Sequence, residues 1–230
     1  MKNNQYIPLR PNKHVEDVLV TCILDGTFPI GSALPNERTL SAQLGVTRPT
    51  LRETLQRLAK EGWVTIQHGK STMINDYWQT GGLSLLGTLA RYGRNLPDGF
   101  IDHLLEIRLV LLPPAALSAA KREPQAILTH LEQADGLADD AETFTNYDWN
   151  LQTLFARNSS NPVYLLILND FKSVFHMIAQ YYFVHENARN ASLRFYRALG
   201  DALSHESGNI DQIVRSAIVE SIQIWETIKA

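Results

Sequence analysis

Arg48 and Arg52 stand four residues apart, beside Thr47 and Thr50, in a stretch where Leu51, Leu55 and Leu58 recur at helical spacing. Side chains four apart share one side of a helix, so the two guanidiniums project together. Paired guanidiniums suit bidentate hydrogen bonding to guanine O6 and N7 or to phosphate, and the threonines add short hydroxyls. Further on, His68-Gly69-Lys70 combines a residue made for a tight turn with basic neighbours. Between Asn36 and Lys70 six basic residues face three acids. Residues 1–78 hold nine Lys/Arg and seven Asp/Glu, a balance of +2, and the remainder holds twelve and seventeen, a balance of −5. Such an excess fits a solvated face as well as an anionic partner, so the order of the elements has to decide.

Catalytic constellations are missing from the sequence. Cys22 has no paired base and lies in an apolar helical stretch, where a buried thiol is the ordinary state. Glu220-Ser221 is no nucleophile elbow, and no glycine-rich phosphate loop follows a strand. The seven histidines, at 14, 68, 103, 130, 176, 185 and 205, form no metal-ligand spacing. The expectation is a protein without catalysis, cofactor or metal.

Several elements must position the arginines. Val15, Val18, Leu19, Cys22 and Ile23 mark a first helix that stops near Asp25-Gly26. Pro29, Gly31 and Pro35 hold the chain in a loop until Asn36 caps a second helix with Leu40 and Leu44 inward, ending at Gly45. Thr47 caps the third helix, where Pro49 is tolerated in the first turn, and Gly62 ends it. Trp63 to Gln67 and Ser71 to Ile74 then read as a β-hairpin around His68-Gly69-Lys70. Three helices and a hairpin make a winged helix-turn-helix, which lays the start of its third helix in the major groove and its wing on the backbone or minor groove.

The 230 residues, 44% hydrophobic and 20% charged, suffice for one large domain or two modest ones. Beyond Trp78 the spacing of Ile101-Leu104-Leu105-Arg108-Leu109, Val163-Leu166-Ile167 and Ile210-Ile213-Val214-Ala217-Ile218 predicts helices throughout. Gly81-Gly82, Pro97 and Asn161-Pro162 are the expected breaks, and Pro113-Pro114 should kink or split the helix that contains it. The fold class is mainly α, a winged helix-turn-helix followed by an antiparallel helical bundle. The predicted boundaries are a head over 1–78, a linker helix over 79–96 and a bundle over 97–230. The longest apolar runs, Leu109 to Ala120 and Ser173 to Val184, are about half of a membrane span. With one cysteine and no leader-like start, a cytoplasmic protein without membrane contact is expected.

Pro35-Asn36-Glu37-Arg38-Thr39-Leu40-Ser41, Leu44 to Arg48, Leu51 to Leu58 and Gly62 to Lys70 together resemble the GntR superfamily of bacterial transcription factors. Gln67 to Lys70, Trp78, Gly82-Leu83 and Leu86 to Arg91 look like its fatty-acid-responsive FadR branch, and the resemblance continues more patchily to about Trp225. It implies DNA contacts at Arg38, Thr47, Arg48, Thr50, Arg52, His68, Gly69 and Lys70. Pro49 departs from a threonine of the branch and offers no donor there. The resemblance also implies a long-chain acyl-CoA effector, contacted by Arg108, Phe175, Tyr182, Arg215, Glu220, Ser221 and Trp225. Arginine suits phosphate and tryptophan or tyrosine suits adenine. Ile218 departs from a glycine of the branch, and the nearest match to its C-terminal lysine is Lys229.

Metal-binding relatives use one Asp and three His, but Asp148 is here accompanied by Gln152, Phe195 or Tyr196, and Ser221, a poor set for zinc. The implied protein is a homodimeric repressor or dual regulator on a pseudo-palindromic double-stranded operator, released by acyl-CoA. The alternative is a regulator of the same fold that senses a small carboxylate or no ligand.

Overall fold

A computed structural model describes residues 11–92, 99–205 and 209–229. The chain divides into two compact units, residues 1–96 and 97–230. In the first, α1 (Pro11–Leu24), α2 (Glu37–Gln43) and α3 (Arg48–Glu61) precede β1 (Val64–Thr65) and β2 (Met73–Ile74). The sequence-predicted caps form: Asn36 accepts from the Thr39 amide and Thr47 from the Thr50 amide. At the other end of α3, Gly62 takes a left-handed conformation at φ 93°. The Gly62 amide donates to the Ala59 carbonyl at 3.2 Å and the Trp63 amide to the Leu58 carbonyl at 2.9 Å, the paired bonds of a Schellman stop. Leu19, Leu51, Leu55, Leu58 and Trp63 are buried together in the core of this unit.

The wing pairs Val64 with Ile74 and Thr65 with Met73, antiparallel. Its ladder is shorter than the apolar runs suggest, because Gln67 to Lys70 leave the sheet to form the turn. The loop before α2 compensates on the other edge. Ala33 bridges Met73, the Leu34 amide donates to the Thr72 carbonyl at 2.8 Å, and the Ile74 amide donates to the Ser32 carbonyl at 2.8 Å.

In place of one linker helix over 79–96, the described residues form α4 (Tyr77–Thr80) and α5 (Ser84–Arg91). The break falls at Gly81-Gly82, where a Cβ on Gly81 would meet the Tyr77 carbonyl oxygen at 2.6 Å. Residues 93–96 and Pro97 lie outside the described residues. α5 is part of the first unit. Leu85 and Leu89 are buried, the Thr88 hydroxyl donates to Glu61 at 2.8 Å, and Arg91 pairs with Glu16 at 2.6 Å. Glu16 also pairs with Arg57 of α3 at 3.0 Å.

The second unit contains α6 (Phe100–Arg122), α7 (Pro124–Leu131), a 3-10 turn (Ala134–Gly136), α8 (Ala141–Asn158), α9 (Val163–Phe183), α10 (Glu186–Ser204) and α11 (Ile210–Lys229). α8 packs on α9 and on α6, and α11 packs on α6 and α10. Ala115, Ala116, Ile127, Leu151, Phe155, Tyr196 and Leu199 lie in its core. Of the kink or split expected at Pro113-Pro114, a split does not occur: α6 is continuous through both prolines. Prolines there remove the amide partners of the Leu109 and Val110 carbonyls, and Arg215 of α11 donates to the Leu109 carbonyl at 3.2 Å. A donor from a neighbouring helix thus satisfies one of the two freed carbonyls. No helix among the described residues is long and apolar enough to cross a membrane.

Gly62 gives the sharpest stability test. A Cβ there would lie 2.7 Å from the Thr80 carbonyl oxygen, whereas Gly45, also left-handed at φ 66°, has nothing within 4 Å. Gly45→Ala should cost about 1–2 kcal/mol for the backbone alone. Gly62→Ala should cost about 2–4 kcal/mol, since backbone must also move. Urea unfolding followed at tryptophan fluorescence checks the order; equal losses would contradict the close-packing account.

Candidate nucleic-acid interface and buried cavity

The first turn of α3 is held by Thr47, whose hydroxyl lies 2.9 Å from that of Thr50 and accepts from the Thr50 amide. These hydroxyls therefore shape the helix start as well as facing solvent. Arg48 and Arg52 follow, with side chains 57% and 60% exposed. Glu37, the first residue of α2, reaches across the turn to both: its Oε2 accepts from Arg52 Nε at 2.7 Å and lies 3.6 Å from Arg48 Nη2. Arg38 is exposed beside it on α2. His68, Gly69 and Lys70 form an exposed turn at the wing tip, with Gly69 at φ 73° and the Lys70 amide donating to the Gln67 carbonyl at 3.2 Å. The structure thus joins Arg48 and Arg52 through one carboxylate and leaves Arg38 and the wing tip as separate exposed groups of the same unit. Sequence reasoning did not single out Glu37. Its partner lies fifteen residues away on another helix, and only the turn angle brings the two together.

Within the second unit a cavity of about 130 Å³ has walls from α6, α8, α9, α10 and α11. Its surface is mostly apolar, with Leu105, Leu112, Phe155, Ile178 and Val214 among the lining residues. Arg108, Phe175, Tyr182, Ser221 and Trp225 of the implied effector set line it. Arg215 and Glu220 do not. Arg215 holds Asp211 at 3.3 Å together with the Leu109 carbonyl, and Glu220 pairs with Arg194 at 2.6 Å. Ile218 is buried on the wall, 4% exposed.

One side of the cavity is polar. Asp148 is buried and accepts from Gln152 Nε2 at 2.6 Å and from the Tyr196 hydroxyl at 3.1 Å, with Arg108 Nη2 at 4.0 Å. Burial, reinforced by the Asp148 charge, pushes the Tyr196 phenol well above its ordinary range, so it stays a donor. Burial likewise raises Tyr182. Two donors remain unused: Arg108 Nε and Trp225 Nε1 are buried without a partner. Of the positions compared in the sequence with a metal-ligand set, Asp148, Gln152, Phe195 and Ser221 line the cavity, and Tyr196 reaches Asp148 by its hydroxyl. In this chain an amide, a phenol and a guanidinium surround the aspartate. Their value as a network was not visible in the sequence, because Asp148 and Tyr196 are 48 residues apart.

A winged helix-turn-helix with paired exposed arginines, in one chain with a helical bundle that encloses a cavity, is the architecture of a DNA-binding regulator. Residues 11–74 match the family described as "Bacterial regulatory proteins, gntR family", residues 75–230 match the "FadR C-terminal domain", and the chain belongs to the GntR family with a FadR-type second domain. It is 39% identical over 223 residues to the fatty acid metabolism regulator protein of Shewanella amazonensis, covering 95% of this chain and 92% of that one. It is 40% identical over 221 residues to the protein of the same name in Pectobacterium carotovorum, covering 96% and 92%. Among solved structures, Lar, described as controlling expression of the Listeria monocytogenes agr system, matches with a TM-score of 0.56 at 16% identity. That match covers 95% of this chain and 98% of the other, and it supports the fold alone.

Removing the Asp148 carboxylate should leave Arg108, Gln152 and Tyr196 without their common partner. Asp148→Ala is expected to cost about 2–4 kcal/mol, and Asp148→Asn, which keeps an acceptor, about 1 kcal/mol. Denaturant unfolding followed by circular dichroism measures both. Equal, small losses would mean that the network contributes little.

Proposed function

We propose that this chain is a homodimeric cytoplasmic regulator of fatty acid metabolism, released from its operator when a long-chain acyl-CoA binds the bundle. Arg48 and Arg52 read base edges, Thr47, Thr50 and Arg38 position the helix, and His68, Gly69 and Lys70 bring the wing to the backbone. Two such heads on half-sites of a pseudo-palindrome call for a two-fold symmetric dimer. The observation that carries the effector reading is the apolar cavity lined by Arg108, Phe175, Tyr182, Ser221 and Trp225. Each methylene of an acyl chain buried there gains about 0.8 kcal/mol. The unpartnered Trp225 Nε1 and Arg108 Nε are buried donors whose desolvation an acceptor on the ligand would offset.

Arg215 and Glu220 would serve the CoA part only after leaving Asp211 and Arg194. Both pairs are partly exposed, and exposed pairs are worth about 0–1 kcal/mol, so exchange is cheap. The reading without an acyl effector draws on one observation: Ile218 occupies wall space that a glycine would leave open.

Calorimetric titration with palmitoyl-CoA below its micelle concentration, against free CoA, tests the effector. Saturation near one ligand per protomer, absent for CoA, is expected. No heat with either would move the effector to a small carboxylate or to none. Arg48→Ala should lose at least about tenfold in affinity for the duplex that the full chain selects from random DNA. It should titrate with palmitoyl-CoA as the wild type does.

A further inference from the structure

We propose that Glu37 is a specificity-determining positioning residue, which fixes Arg52 and Arg48 for base reading and weakens binding to DNA of the wrong sequence. The inference rests on the reading that α3 lies in the major groove. Glu37 belongs to α2, yet its carboxylate hydrogen-bonds Arg52 Nε at 2.7 Å and lies 3.6 Å from Arg48 Nη2. The bond uses the one donor on Nε. The two terminal nitrogens of Arg52 carry the four N–H groups that grip guanine O6 and N7, or a phosphate, in bidentate fashion. A guanidinium held from behind by its Nε meets a base with fewer rotamers left to lose.

Stability does not explain this carboxylate. Its partners are 57% and 60% exposed, and pairs so exposed are worth about 0–1 kcal/mol. Its position matters more. A negative charge between the two base-reading arginines repels the phosphates of every duplex, whatever the sequence. The gain from oriented arginines arises only where a matching base edge accepts them. One term lowers all affinities and the other restores only the correct one, so their combination raises the ratio between them.

The experiment uses the full chain. Wild type and Glu37→Gln are each put through selection from a random-sequence duplex pool, and affinities are measured for the wild-type-selected duplex and for a scrambled duplex of equal length. The substitution keeps the size of the side chain and removes its charge. The expected result is unchanged or tighter binding to the scrambled duplex, weaker binding to the selected one, and a specificity ratio lower by about tenfold. The salt dependence of binding should steepen, because a fixed negative charge has gone from the interface. In an Arg52→Lys background, which has no Nε to hold and keeps only the longer pair with Arg48, the same substitution should change the ratio clearly less than it does in the wild type. A Glu37→Gln protein with the wild-type ratio and salt slope would overturn the inference while leaving the operator reading intact. A wild-type chain that enriches no sequence would overturn that reading, and this inference with it.

Discussion

The backbone of Gly62 is where the DNA-reading head is tied together. Its left-handed φ ends α3, and its Cα side packs against the carbonyl of Thr80 and the Cα of Gly81 with no room for a side chain. Its carbonyl accepts from Asn75 Nδ2 at 2.9 Å and from the Thr80 hydroxyl at 2.8 Å. Trp63, fully buried, follows directly and starts the wing. One residue thus sets where α3 stops, how the hairpin leaves it and where α4 lies. The arginines at the far end of α3 inherit their placement from that anchor and from the Thr47 cap, and the wing tip inherits its own from β1.

The second unit solves a different problem, which is keeping charged and polar groups beside an apolar cavity. Asp148 is the compensating centre, with an amide, a phenol and a guanidinium around it. Buried polar groups are tolerable only when satisfied, and Arg108 Nε and Trp225 Nε1 are two cavity-wall donors that remain unsatisfied. The unmet hydrogen bonds and the space therefore coincide. A ligand that supplied an acceptor and apolar bulk together would remove both deficits. The proposed release mechanism asks for no more than this: a bundle conformation that the ligand prefers and that operator-bound heads do not.

Much of the head was legible because its signals are local. The caps at Asn36 and Thr47 and the left-handed stop at Gly62 are set within a few residues, and the Leu51, Leu55, Leu58 period needs no knowledge of the partner it packs against. What failed was non-local. Pro113-Pro114 reads as a kink or a split, the helix runs on unsplit, and the Arg215 that takes one freed carbonyl comes from α11, more than a hundred residues later. The break at Gly81-Gly82 was legible, but not that α5 beyond it joins the first unit through Glu16 and Glu61, which come from α1 and α3. Glu37 looked like one more acid in a basic stretch. For the effector set, resemblance placed five of seven residues at the cavity, while Arg215 and Glu220 are engaged in pairs that no sequence pattern announces.

The central claim is that one chain carries two sites whose occupancies oppose each other. Linkage makes this quantitative: the factor by which palmitoyl-CoA weakens operator binding must equal the factor by which operator weakens palmitoyl-CoA binding. Measuring both factors on the full-length protein, with the duplex it selects, is the most direct test. Equal factors are expected, each of about tenfold or more. Two ligands that bind together without changing each other's affinity would contradict it, leaving a DNA-binding regulator whose cavity does not govern its release.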